Sequence, residues 1–509
     1  MFSTITSAAI LGMEVVFVRV EVDIARGLPG FMLVGYLSSE VKEAGERVRV
    51  ALKNAGITLP PMRITVNLSP ANIRKEGTAF DLPIAVGILK ALGCIPENST
   101  EGVLAAGELG LDGSVNPIRG VLLLVKKAKE EGLERCLIPA ENYGEGRLIE
   151  GVEVIGVRGL AETIDYLKDG KKTVFSGREA RDKEEPDREM PDFSEIKGQT
   201  AAKRAAEIAA AGFHNLLLIG SPGSGKTMIA KRIPGILPPM TEEESLEVSS
   251  VYSLAGRFRD KDAFMKQRPF MDPHHTITAQ ALMGGGKTVR PGLLSLAHKG
   301  ILFLDELPEF KTDIINMLRQ PLEEKKIHIV RLGGNYVFPA DCMFVGAMNP
   351  CPCGYYPDMA RCSCTLQKVK RYQGHISGPV MDRIDLCAGV ARVTAEQLLQ
   401  ENREESSSCI RKRVIRAREM QEERYKDESY LFNALMPQPD LKKYCYLGKK
   451  EENLMDKAFR TLQLSARSYF RILKTARTIA DLDGCGRVKG MHIEEALEYR
   501  MGGEKYWEI

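Results

Sequence analysis

Eight consecutive residues, Gly220, Ser221, Pro222, Gly223, Ser224, Gly225, Lys226 and Thr227, have the types and spacing that hold phosphate. In the pattern G-x-x-x-x-G-K-[ST] the glycines let backbone N–H groups turn inward around phosphate oxygens. The lysine reaches the β- and γ-phosphates, and the hydroxyl faces Mg²⁺. Such a loop needs a strand before it and a helix after it, because the helix N-terminus adds partial positive charge. Both are present: Leu216, Leu217, Leu218 and Ile219 read as a buried strand, and helical sequence opens at Met228. These residues, Met228 included, are the candidates to bind ATP and Mg²⁺.

A nucleotide hydrolase also needs acids at the end of an apolar strand, and Ile301, Leu302, Phe303, Leu304, Asp305 and Glu306 supply them. Asp305 would hold Mg²⁺, mostly through water, and Glu306 would orient and activate the attacking water. The plainer reading is a strand end capped by solvated acids. A second cluster comprises Cys351, Cys353, Cys362 and Cys364, two C-x-C pairs within fourteen residues. Four thiols this close could close a tetrahedral Zn²⁺ site, although C-x-C is tighter than the usual spacing. Reduced free thiols and a redox switch are the alternatives. The adjacent His274 and His275 point to metal less strongly, since neighbours on regular structure face different ways. A structural or nucleic-acid contact suits them better.

Residues 192–509 resemble the AAA+ ATPases, specifically the Mg-chelatase/MCM-like branch, and almost the whole chain resembles the ComM/YifB family. The motifs that carry this are PHHT (273–276), LAHKGILFLDELPEF (296–310), AMNPCPCG (347–354), SGPVMDRIDL (377–386) and ARTIADL (476–482). The resemblance implies an α/β fold class: an AAA+ P-loop core with a C-terminal helical lid. It implies that Asn349 is a polar sensor of the γ-phosphate or attacking water, where a turn residue beside Pro350 is the plainer reading. Arg383 would be an arginine finger reaching a neighbouring subunit's nucleotide; an ion pair with Asp382 or Asp385 is its alternative. Arg467 would be the sensor arginine of the lid, with Arg471 one helical turn on as the fallback. An arginine acting in trans requires an oligomer, and the family implies a homo-oligomeric ring, a hexamer.

Residues 327–338 form two β-like runs around Gly333 and Gly334, a hairpin signal. In the MCM-like branch this resembles the hairpin that projects into the ring pore. Arg331 and Tyr336 then become candidates to meet phosphates and bases. Gly284, Gly285 and Gly286, followed by Lys287 and Arg290, suit a basic loop in the family's helix-two insertion. Lys368, Lys370, Arg371 and Tyr372 make a basic, aromatic strip. Each of these is also readable as plain structural surface.

Residues 107–142 resemble the Lon protease domain, and 74–85 resemble the strand–turn–helix where Lon places its nucleophile. Lon uses a Ser–Lys dyad. Here the serine position is Ala79 and the lysine position is Leu122, neither of which can act as nucleophile or base. Thr78 and Lys126 lie out of register. A catalytically dead α+β domain follows, serving as a structural collar or substrate-engaging tier.

The chain that must position these groups has 509 residues, 44% hydrophobic and 27% charged, a globular composition of roughly three domains. The expected organisation is a Lon-like domain over 1–170 and a linker over 171–190, of whose residues 12 are charged. The AAA+ core follows over 191–393 and the lid over 394–509. Its 71 basic and 68 acidic residues nearly cancel, so a nucleic-acid surface must come from local clustering. No run approaches the ~18 apolar residues of a membrane helix, and the N-terminus lacks the basic first region of a signal peptide. A cytoplasmic protein with no membrane partner is expected. Eleven cysteines in so long a chain do not make a disulfide scaffold.

Two functions fit. One is a DNA-translocating ring ATPase of helicase type on single-stranded or branched DNA, as the resemblance implies through branch migration in natural transformation. The other is a Mg-chelatase-type motor subunit that remodels a protein partner. The Lon-like domain, the cysteine knuckle and the basic strip favour DNA.

Overall fold

The computed structural model describes residues 1–170, 191–258, 263–331, 333–393 and 404–507. The expected linker, 171–190, and the first ten residues of the expected lid lie outside them.

The N-terminal part is built on a seven-stranded mixed sheet, in the order Gly30–Val34, Arg63–Ser69, Glu14–Ala25, Phe2–Leu11, Val103–Ala105, Arg135–Pro139 and Glu153–Val157. Alternate residues of Glu14–Ala25 (Val18, Val20, Val22 and Ile24) are buried, as the two-residue period of a strand requires. The strand Phe2–Leu11 pairs antiparallel with it over its whole length. Residues 39–55 form two helices, Ser39–Lys42 and Ala44–Asn54. Leu122 is fully buried on the helix Val121–Glu130, so the position where Lon carries its lysine is ordinary core.

The motor part holds a five-stranded sheet in the order Phe270–Met271, Ile301–Leu304, Met343–Met348, Leu216–Gly220 and Leu386–Val390. Every neighbouring pair is parallel. All-apolar strands such as Ile301–Leu304 are buried throughout, because helices cover both faces of a parallel sheet. Parallel strands end at one edge, and there the phosphate loop, Asp305 and Asn349 converge.

The C-terminal part is helical: Ser407–Arg424, Lys449–Thr461, Ala466–Leu482 and Gly490–Trp507. Its core is polar as well as apolar. Asp481 accepts from Arg477 and Arg424 at 2.9 Å each and from Asn433 at 2.8 Å. No helix among the described residues is long and apolar enough to cross a membrane.

The N-terminal part docks on the hairpin Lys326–Arg331/Gly334–Pro339. The Met13 amide donates to Val337 O at 3.2 Å, and Arg74 lies against Gly333 at the hairpin tip. The segment 74–85, which resembles Lon's nucleophile turn, thus begins at a contact with the motor.

Candidate nucleotide site

The strand Leu216–Gly220 runs into the phosphate loop and then into the helix Lys226–Ile236. Gly223 and Gly225 have φ of 71° and 99°, and a Cβ on either would meet no atom within 4 Å. The loop therefore takes a backbone form that favours glycine and encloses open space. Ser224 Oγ is buried with no hydrogen-bond partner. A cradle of this kind, with an orphaned buried hydroxyl, fits a phosphate chain.

Lys226, only 8% exposed, donates to Gly220 O at 2.8 Å, Ser221 O at 3.0 Å and Asn349 Oδ1 at 3.0 Å. Burial pulls its ammonium below the usual lysine range, against the pull of Asp305 and Glu306. A desolvated cation of this kind gains from an anion in the cradle. The Thr227 hydroxyl donates to Asp305 Oδ2 at 2.6 Å, which brings the two expected Mg²⁺ residues together. The Glu306 amide donates to Asp305 Oδ1 at 2.9 Å, and the Glu306 side chain stands 61% exposed, 4.0 Å from His275 Nδ1. The histidine pair thus borders the acid that would activate water. Met228 is exposed at the mouth of the loop.

Two expected arginines are placed differently. Arg383 is 8% exposed and held by its own chain. It donates to Arg319 O at 2.8 Å and Pro379 O at 2.6 Å, and pairs with Glu323 rather than Asp382 or Asp385. Arg467 is exposed near the start of Ala466–Leu482 and makes no hydrogen bond or ion pair among the described residues. Arg471, the fallback, is committed to Asp385.

Cys351, Cys353, Cys362 and Cys364 offer sulfurs that all lie within 4.8 Å of one another. Three of the separations are 3.3, 3.5 and 3.8 Å. A tetrahedron with Zn–S bonds of about 2.3 Å has edges of about 3.8 Å, so the donor set fits zinc. All four are free thiols.

The basic candidates fall into two groups. Lys287, Arg290 and Arg331 are exposed, and Arg331 lies against Gly285, so the glycine loop and the hairpin meet. Arg119 of the N-terminal part adds a fourth cation near Arg290. Lys287 also lies 3.9 Å from Glu40. Lys368, Lys370 and Arg371 are exposed on the helix Leu366–Gln373. Two aromatic candidates do not hold as base contacts. Tyr336 is 3% exposed in the core beneath the hairpin, with its hydroxyl on Glu76, and Tyr372 is buried too. Hairpin side chains alternate, and Tyr336 lies on the inward face. Sequence reasoning missed Arg392, which donates to Ser221 Oγ at 3.3 Å and to the Tyr355 hydroxyl at 3.1 Å. It also missed Gln199, which donates to Ser224 O at 3.3 Å. Neither lies in a recognisable motif.

The parallel sheet, the loop at its edge and the helices beyond it define a P-loop nucleotide-binding protein of AAA+ architecture. Sequence comparison is more specific. Residues 192–398 match the family described as magnesium chelatase, subunit ChlI; residues 20–142 match subunit ChlI of Mg-chelatase; and 404–500 match its C-terminal region. Competence protein ComM of Haemophilus influenzae is 40% identical over 497 residues, covering 97% of this chain and 96% of that protein. Uncharacterized protein YifB of Escherichia coli is 37% identical over 505 residues, covering 98% and 97%. Lon protease 2 of Bacillus subtilis is 34% identical over 130 residues, 25% of this chain and 23% of that protein. The chain belongs to the ComM/YifB family of Mg-chelatase-like AAA+ proteins.

Proposed function

We propose that this chain is an ATP-hydrolysing motor that assembles into a homo-hexameric ring and translocates on single-stranded or branched DNA, remodelling it as a branch-migration helicase does. The observation that carries the DNA reading is the meeting of the glycine loop with the hairpin, which gathers Lys287, Arg290, Arg331 and Arg119. In a chain of net charge +3 such local clustering is what phosphate binding requires. The similarity to a competence protein points the same way.

In this reading Lys226 and the loop amides bind the phosphates, and Asn349, now bonded to Lys226, senses the terminal phosphate. Thr227 and Asp305 hold Mg²⁺, which when bound neutralises charge on the transferring phosphoryl group. Glu306 orients the attacking water and accepts its proton. Arg383 serves the neighbouring subunit after leaving Glu323, and Arg467 reaches the nucleotide from the lid. The four thiols hold a structural Zn²⁺, on the strength of their mutual distances.

The test is steady-state ATPase activity, alone and with single-stranded, duplex and four-way-junction DNA, across a salt series. Stimulation by branched or single-stranded DNA that fades with salt is expected, because each phosphate contact releases counterions. Intact ATPase activity with no stimulation and no DNA binding would transfer the motor to a protein partner of Mg-chelatase type.

A further inference from the structure

The cysteine knuckle occupies residues 351–364, and no helix or strand falls within it. Its interior hydrogen bonds are all short-range turn contacts, among them Gly354 N to Cys351 O at 2.9 Å, Asp358 N to Tyr355 O at 2.8 Å, Cys362 N to Asp358 O at 2.8 Å, Arg361 N to Asp358 O at 3.1 Å and Ala360 N to Asp358 Oδ1 at 3.1 Å. Pro352, Pro357, Met359 and Arg361 are exposed, so the loop buries little apolar surface. A segment this small needs a staple to keep one shape, and the four converging sulfurs are the group that can take one.

This loop touches the phosphate loop directly. Gly354, at φ 82°, sits so close that a Cβ on it would overlap the Pro222 ring. Tyr355 accepts from Arg392, whose other arm donates to Ser221 Oγ, and its ring lies 5.0 Å below the same guanidinium. On its N-terminal side the knuckle begins two residues after Asn349, which accepts from Lys226. Gln373 anchors that join by donating to Pro350 O at 2.9 Å. Ser221 and Pro222 are thus backed from one side by the loop that carries the four thiols.

We propose that metal held by Cys351, Cys353, Cys362 and Cys364 makes the knuckle a brace for the phosphate loop, so that nucleotide affinity depends on zinc occupancy. The inference rests on the readings above that the thiols take Zn²⁺ and that the loop binds ATP. Without metal the knuckle loses its fixed shape, Gly354 and Tyr355 leave Pro222 and Arg392, and the loop amides are no longer preorganised. Metal loading therefore acts on binding at a distance from the chemistry.

The experiment measures zinc content and affinity for a fluorescent ATP analogue on the same full-chain samples, purified under reducing, chelator-free conditions. The wild type is expected to carry about one zinc per chain. Cys362→Ser/Cys364→Ser, which leaves every residue touching the phosphate loop in place, should lose the metal and weaken binding by about 10-fold or more. Arg392→Ala and Tyr355→Phe should keep the metal and still weaken binding by about 3- to 10-fold, one charge-assisted contact being removed. These two variants also decide the matter if the cysteine variant fails to fold. A zinc-free wild type that binds the analogue normally overturns the metal reading and the brace with it. Zinc-loaded wild type, with affinities unchanged within about 2-fold in Arg392→Ala and Tyr355→Phe, overturns the brace alone.

Discussion

Arg471 pairs with Asp385, two residues beyond Arg383, and so fastens the helix Ala466–Leu482 to the strand that flanks the phosphate loop. Asp385 is buried and also accepts the Asn215 amide at 2.8 Å, which places one carboxylate between lid and sheet. One turn earlier on the same helix, Arg467 is exposed with no partner among the described residues. Arg471 is thus tied to the sheet, whereas Arg467 is exposed, as the proposed contact with nucleotide requires.

Arg471→Ala leaves Asp385 buried and short of its counter-charge, a loss of about 3 kcal/mol, and should lower the thermal midpoint clearly. Arg467→Ala should leave that midpoint within about 1–2 °C while weakening nucleotide affinity about 10-fold, one charge-assisted contact being lost. Thermal unfolding and nucleotide titration of both variants separate the roles. A midpoint loss confined to Arg467→Ala would reverse the assignment.

Lys226→Ala removes the cation that lines the cradle and should abolish nucleotide binding. Glu306→Gln keeps the shape but cannot accept a proton, so binding should persist while turnover falls by about 100-fold or more. Binding and steady-state turnover on the same preparations check this, and near-normal turnover in either variant would remove that residue from the site.

The protein should be acid-sensitive in a definite window. Burial disfavours ionisation at Asp341 and Asp385, but their partners outweigh it: Lys325 and Lys299 at the first, Arg471 and hydrogen bonds from His214 and the Asn215 amide at the second. Asp341 is held down to about 2, and Asp385 lies well below the usual carboxylate range. Because both folded values lie below the unfolded ones, the stability they add is complete above about pH 4 and is lost as the pH falls towards 2. Denaturation midpoints across that range should drop steeply, and Asp341→Asn should flatten the slope. An unchanged slope in that variant would deny Asp341 a share.

How much of this was legible in the sequence depends on how local each signal is. The phosphate loop and acidic strand are contiguous, so spacing alone marks them as candidates, and the structure brings them together. The strand Phe2–Leu11 is hard to read because polar residues fall on both of its faces: Ser3 and Ser7 are buried, with Ser3 donating to Gly87 O at 2.7 Å, while Thr4 and Thr6 are half-buried. Polar residues on both faces erase the apolar alternation a strand normally shows. The tie of Arg383 to Glu323, the seat of Gly354 on Pro222 and the reach of Arg392 all join residues far apart in the chain. No local pattern carries them.

The hairpin illustrates the same divide and makes its own prediction. Tyr336 faces inward with its hydroxyl on Glu76, whereas Arg331 is exposed near the tip. Tyr336→Ala should cost about 3 kcal/mol through the cavity it leaves. Arg331→Ala should leave stability unchanged and reduce the salt slope of DNA binding by about 1. DNA affinity across a salt series and chemical denaturation read the two effects. Weakened DNA binding with unchanged stability in Tyr336→Ala would restore that tyrosine as a base contact.

Arg383 presents the sharpest requirement on assembly. In the isolated chain its guanidinium is closed off by Glu323 and the carbonyls of Arg319 and Pro379. It can act on a neighbour's nucleotide only if subunit contact draws it away, and Glu323, 52% exposed, is a partner weak enough to yield. Arg383→Ala removes two carbonyl contacts and an ion pair from a largely buried position and should cost about 2 kcal/mol of stability, yet lower turnover strongly in homogeneous rings. Glu306→Gln should be inactive for a different reason, the loss of the group proposed to accept the water's proton. Mixing the two places some intact Arg383 beside some intact Glu306 at shared interfaces, so co-assembled rings should recover part of the turnover that neither variant has alone. Recovery that tracks the mixing ratio supports action in trans, and no recovery in rings verified as mixed would confine Arg383 to its own subunit.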